Sequence, residues 1–310
     1  MPEYQQPQSP DYGNKLGHQI FYFVLKWFGP TPAYIMLAFV VPWYVLLLRR
    51  PRESASYYLK KRFPGEGGFR RFMRTYAYIY GLGLSLIDQA AVAILGRKHF
   101  KIDFPDQQKL YELSKSVNGM VLLTSHVGNW QTAMSVVDDM AVPVNFLLRL
   151  EEHVSDRFFF NLSDNGKSIK IIDPTSFLGG LVEATQAIQK GECVSIMGDR
   201  AWGARTKTCR FLREDAAFPI TPYHLVASNN AELVIVLTAR TGKLAFRINY
   251  IHYSSRDSDC KNKSKAEIID ILLKKYVKSL ENYIEKYPYQ WFNFFDFWKL
   301  DKKQLEAETL

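Results

Sequence analysis

Imidazole is the side chain that ordinarily gains and loses a proton near neutral pH, so a well-placed histidine is where a search for chemistry begins. His126 has such a place. Val121, Leu122 and Leu123 form an apolar run suited to a buried parallel strand, and Thr124-Ser125-His126-Val127-Gly128-Asn129-Trp130-Gln131 ends it with small and polar residues. His126 is therefore expected at the carboxyl end of a strand, where open α/β sheets gather reactive groups beside the exposed N–H groups of the next helix. Gly128 and Asn129 open that helix, and their backbone N–H groups are expected to face a developing oxyanion; Gly128 also permits close approach of a substrate. His153, His224 and His252 are isolated and read as surface or satisfied core residues, while Asp138 and Asp139 lie too far along the following helix to assist His126. Cys193, Cys209 and Cys260 are well separated without metal-type spacing, which points to a reducing compartment and to neither a zinc site nor a disulfide framework.

The elements that must hold His126 come from an alternating pattern. From Gly119 onward strand-like and helix-like segments alternate, predicting an α/β fold with a mostly parallel central sheet flanked by helices. Strands are expected at Val121–Thr124, Val144–Arg149, Ile169–Ile172, Val194–Met197, Leu233–Ala239 and Leu244–Tyr250. Helices are expected at Asn129–Met140, Glu152–Leu162, Phe177–Lys190, Pro222–Ser228 and Lys265–Lys286. The aromatic stretch from Trp291 to Trp298 reads as a core-closing segment, part of which can line a tunnel for an apolar ligand.

Upstream the chain changes character. Residues 1–18 are a disordered lead, 19–95 an N-terminal attachment segment, 96–300 the α/β domain and 301–310 a tail. Ile20 to Leu48 is apolar and aromatic but interrupted by Lys26, Gly29-Pro30, Pro32 and Pro42, short of the about 20 clean apolar residues of an unbroken span. It reads as a membrane anchor, spanning or partly inserted as a hairpin, or as a core helix pair. Arg49, Arg50, Arg52, Lys60, Lys61 and Arg62 follow, a cluster drawn to anionic lipid that places the rest of the chain in the cytoplasm by the positive-inside rule. Two amphipathic helices separated by Gly65 to Gly68 complete the segment. The formal net charge of +9 fits a surface that meets phosphates, but the arginines cluster beside the apolar segment and no nucleic-acid module is recognisable, so lipid is the expected partner.

Several blocks in order carry a family resemblance: Ser125 to Gln131, Gly198-Asp199-Arg200, Phe218-Pro219-Ile220-Thr221-Pro222 and Tyr287-Pro288-Tyr289-Gln290-Trp291-Phe292, preceded by an aromatic lead and Tyr58-Leu59-Lys60-Lys61-Arg62-Phe63. Together they resemble the lysophospholipid acyltransferase superfamily, in its bacterial lipid A late acyltransferase branch, over about Phe21 to Trp298. The resemblance implies a membrane-associated enzyme on the cytoplasmic face of a bacterial inner membrane. It would move a fatty acyl chain from an acyl carrier protein or coenzyme A thioester to a hydroxyl or amine of a lipid-like acceptor. No metal or organic cofactor is implied, because the thioester already carries the activation. Basic patches would dock lipid or an acidic carrier protein. In that family the histidine is the general base, and Arg149, ending Phe146-Leu147-Leu148, matches an arginine that binds a phosphate-bearing substrate. Arg200 is a second candidate anion contact, with an internal ion pair to Asp199 as its equal alternative.

One position departs from the family pattern. The histidine is followed five positions later by a carboxylate in the family, and here by Gln131. Glutamine can accept a hydrogen bond from imidazole and hold its tautomer, but supplies no negative charge. Three outcomes follow: Gln131 acts as a neutral orienter, Asp199 reaches the imidazole and replaces the charge, or the chain is a catalytically inactive lipid-binding or complex-forming relative. A carboxylate within hydrogen-bond reach of His126 is the feature that discriminates them.

Overall fold

The computed structural model describes residues 15–96, 99–129, 140–148, 170–200 and 205–299. Its centre is a seven-stranded sheet of β1 (Lys101–Asp103), β2 (Met120–Thr124), β3 (Val144–Leu147), β4 (Lys170–Ile172), β5 (Cys193–Met197), β8 (Glu232–Gly242) and β9 (Ala245–Ser254), in the order β1-β9-β8-β2-β5-β3-β4. All neighbours are parallel except β8 and β9, which pair antiparallel, so the expected mostly parallel sheet is present. A separate antiparallel hairpin, β6 (Thr206–Phe211) with β7 (Glu214–Pro219), was not anticipated; Phe218-Pro219 closes a strand in it.

β2 lies in the middle of the sheet and is buried on both faces, which its uninterrupted apolar run dictates. Val121 and Leu123 enter one core with α6 (Leu181–Gln189), α7 (Thr221–Asn229) and α8 (Lys265–Lys286). Met120 and Leu122 point to the other face, toward Leu110 of α5 (Gln107–Ser116), Val144, Phe146 and Ile248. The expected Lys265–Lys286 helix is present with those bounds and begins with a capping box: Glu267 N–H donates to Ser264 Oγ, and Ser264 N–H donates to Glu267 Oε2. Where one continuous helix was expected over Phe177–Lys190, a short 3-10 turn at Phe177–Gly180 precedes α6, because Leu178, Gly179 and Gly180 take positive φ. The helices expected at Asn129–Met140 and Glu152–Leu162 lie outside the described residues.

Upstream, α1 (Lys15–Phe28), α2 (Pro30–Leu47), α3 (Arg49–Arg62) and α4 (Gly68–Leu95) form a helical layer. Gly29-Pro30 separates α1 from α2, and α2 continues through Pro42. α2 buries the stripe Ala33, Leu37, Val41 and Val45 in a core shared with α1 and α4. Its other face is open, with Phe39 73% and Trp43 64% exposed, and α1 leaves Trp27 68% exposed. Such an aromatic surface is what a bilayer interface covers. By length and composition α2 and α4 are both long and apolar enough to cross a membrane.

Candidate active site

Parallel register brings the site together. Thr124 at the end of β2 stands opposite Met197 at the end of β5, and Gly198 N–H donates to the Thr124 carbonyl at 2.9 Å. His126 and Asp199 each follow two residues beyond that matched pair. They meet: His126 Nδ1 lies 2.9 Å from Asp199 Oδ1, and the His126 backbone N–H donates to Asp199 Oδ2 at 2.8 Å. A third donor, the Trp291 indole N–H, reaches Oδ2 at 2.9 Å.

Asp199 is 2% exposed, while the His126 side chain retains 20% exposure and is reachable from outside. Burial by itself raises the Asp199 carboxyl, but the His126 charge and hydrogen bonds, with Arg200 adding to them, outweigh it and hold the group below its usual range. An ionised Asp199 only accepts, so Nδ1 carries the proton and Nε2 is left with its lone pair. Burial, then the Arg200 charge, push the imidazole below its ordinary value; Asp199 opposes them but does not win. The arrangement is a neutral imidazole at neutral pH, oriented by a buried carboxylate.

Supports on several elements fix this loop. Ser125 is fully buried, and its hydroxyl lies 2.6 Å from the Tyr276 hydroxyl of α8. A Cβ at Gly198 would come within 2.7 Å of the Tyr276 ring, so glycine is required for that approach. Gly128 has φ +55, and a Cβ there would lie 2.2 Å from the Thr238 carbonyl. The segment at 290–292 lies against the histidine loop: Phe292 N–H donates to the His126 carbonyl, and Val127 bridges Trp291 in antiparallel fashion.

One expectation is corrected. The Gly128 N–H does not face an oxyanion, because it donates to the Gln290 carbonyl at 2.7 Å. Gly128 instead allows the loop to pack on β8 and lines a cavity of about 300 Å³ with Tyr76, Tyr80, Leu84 and Phe292. Asn129 is buried beside it. Arg200 lies near the pair, donates to the Phe292 carbonyl at 3.3 Å and sits 5.5 Å from the Phe295 ring centre. Gln131 and Arg149 fall outside the described residues. The sequence places Trp291 in a core-closing or tunnel-lining stretch and gives it no role beside His126; a buried indole N–H needs an acceptor, and that requirement is the signal the sequence offers. No group of His, Cys, Asp and Glu able to hold a metal ion occurs among the described residues.

An oriented histidine at the carboxyl edge of an α/β sheet has the geometry that general acid–base chemistry uses. The chain belongs to the bacterial lipid A biosynthesis acyltransferase family, whose sequence model matches residues 81–300, and it is an acyltransferase. The match begins within α4, so the similarity read in Tyr58 to Phe63 lies outside it. Among solved structures, the 1-acyl-sn-glycerophosphate acyltransferase PlsC from Thermotoga maritima is similar with a TM-score of 0.38 and 7% identity, over 81% of this chain and 97% of that one. No curated protein matches the chain. The family and the two apolar helices together indicate association with a membrane.

Proposed function

We propose that the protein transfers a fatty acyl chain from an acyl thioester of acyl carrier protein or coenzyme A to a hydroxyl or amine of a lipid-like acceptor. His126 is the general base, and Asp199 supplies the charge that Gln131 lacks. The observation that carries this reading is the 2.9 Å bond between His126 Nδ1 and Asp199 Oδ1. It favours an active enzyme over an inactive lipid-binding relative, because the charge absent from position 131 is present at 199.

His126 Nε2 accepts the proton of the acceptor group as its oxygen or nitrogen attacks the thioester carbonyl. A tetrahedral intermediate forms, with imidazolium held against Asp199. Collapse breaks the carbon–sulfur bond, and the leaving thiolate takes the proton back from Nε2, so base and charge are both restored. The thioester supplies the activation, and no cofactor takes part. The cavity beside Gly128 has the size of a small ligand pocket, at the lower end of about 300–1,000 Å³, and its aromatic wall suits one substrate chain. Arg149 and Arg200 are the proposed contacts to an anionic substrate group. The open aromatic faces of α1 and α2 suit attachment to the cytoplasmic face of an inner membrane, with Arg49, Arg50 and Arg52 immediately after them.

The test is transfer from labelled acyl thioesters of both carriers to a membrane lipid extract. His126→Ala is expected to lower kcat by roughly 10³-fold, within the range of general-base contributions. Unchanged transfer in that variant rejects the assignment of His126. Absence of transfer from either carrier by the unaltered protein favours the inactive relative.

A further inference from the structure

Trp291 is fully buried and packs edge-on against Tyr58, Phe211 and Phe297, with ring centres 5.1, 5.3 and 5.4 Å away. Packing alone would be served equally by another large aromatic. The indole, however, turns its single N–H onto Asp199 Oδ2, an oxygen that already accepts the His126 backbone N–H. Oδ1 is thereby left to the imidazole.

We infer that Trp291 is a positioning residue of the acyl-transfer site: its indole N–H fixes the Asp199 carboxylate and lowers the basicity that the His126 imidazole feels. The inference rests on the reading of His126 as general base. Asp199 is too deeply buried to be oriented by bulk solvent, so its direction is set by protein donors. Indole suits this task because it donates without accepting, does not titrate and has few rotatable bonds. The backbone of Trp291 is equally held. Its carbonyl accepts the Tyr78 hydroxyl at 2.6 Å, and the neighbouring Phe292 N–H holds the His126 carbonyl at 2.8 Å. One segment therefore grips the histidine by its main chain and the aspartate by a side chain.

The sign of the effect separates this role from packing. Without the indole N–H, Asp199 becomes a more basic carboxylate and binds imidazolium more strongly, so the pKa of His126 rises. The acid limb of the kcat/KM profile must then move to higher pH. Removing the carboxylate charge has the opposite sign, since Asp199 raises the imidazole pKa; Asp199→Asn must move that limb lower.

The experiment compares the full-length protein with Trp291→Phe, Asp199→Asn and His126→Ala in the transfer assay across pH, with thermal unfolding recorded for each. Trp291→Phe is expected to lower kcat roughly tenfold at unchanged KM, the loss of one charge-assisted hydrogen bond, and to move the acid limb upward. An unmoved limb in a folded Trp291→Phe variant, whatever its rate, reduces Trp291 to packing and overturns the inference. Should Trp291→Phe fail to fold, indole NMR of the ¹⁵N-tryptophan-labelled protein decides. A downfield indole proton must shift upfield in Asp199→Asn, and unchanged indole spectra overturn the inference. Failure of the general-base reading looks different: His126→Ala would then transfer at the unaltered rate. Failure of the Trp291 role leaves His126→Ala inactive.

Discussion

Two buried aspartates each tie distant parts of this fold together, and they face different partners. Asp88 on α4, fully buried, accepts the Tyr34 hydroxyl and the Arg240 Nε–H, the latter at 2.7 Å. Asp199 accepts two N–H groups of His126 and the Trp291 indole. The same segment serves both. Gln290 clamps the Arg240 backbone from both sides, and Trp291, the next residue, holds Asp199. Burial and multiple donors therefore do not by themselves single out the carboxylate proposed to act in catalysis. The partner does: guanidinium keeps its charge at every relevant pH, whereas imidazole releases its proton near neutrality. The first pair is a strut between α4 and β8, and the second is the pair proposed to run the reaction cycle.

The largest effect that can break this comparison is expected from Asp199→Asn. Asparagine at that place would either turn its NH₂ toward the two N–H donors on Oδ2, leaving buried donors facing each other, or present it to His126 Nδ1, which places the imidazole proton on Nε2 and removes the lone pair the base needs. kcat is expected to fall roughly 100-fold, less than for His126→Ala, because the base itself remains. Steady-state kinetics check this, and a loss below a few-fold would make Asp199 a strut like Asp88.

Asp88→Asn is the converse test. It leaves the Arg240 charge without its partner, and breaking such a buried pair costs about 3–5 kcal/mol of stability. Chemical denaturation of the detergent-solubilised protein should show that loss, while the acid limb of the transfer profile keeps its position. A shifted limb would mean that the two aspartates are electrostatically one system.

The sheet was readable because β2, β5 and β8 are apolar runs that a strand buried on both faces requires. His126 and Asp199 were readable because each follows such a run. The missed elements gave weaker signals. β1 is an exposed three-residue edge, and the β6–β7 hairpin turns at Leu212 and Arg213, both at positive φ, in place of the Asn-Gly or Asp-Gly that normally announces a tight turn. The Gly128 N–H was misread because its acceptor, Gln290, lies far along the chain. Trp291 is hidden for the same reason: composition shows an aromatic, but only the fold shows what its N–H meets.

Gln131→Glu is expected to have the smallest effect and sharpens the comparison most. A glutamate that reaches the imidazole competes for the one Nδ1 proton that Asp199 already accepts, and one that does not reach it acts only through distance. The rate should therefore change by less than about threefold, well under the 1.4 kcal/mol of a tenfold step. Transfer rates at saturating thioester measure it directly. A gain of tenfold or more would mean that Asp199 orients His126 without supplying the charge the reaction needs. Asp199 would then join Asp88 as a structural carboxylate, and the vacancy at position 131 would limit the enzyme.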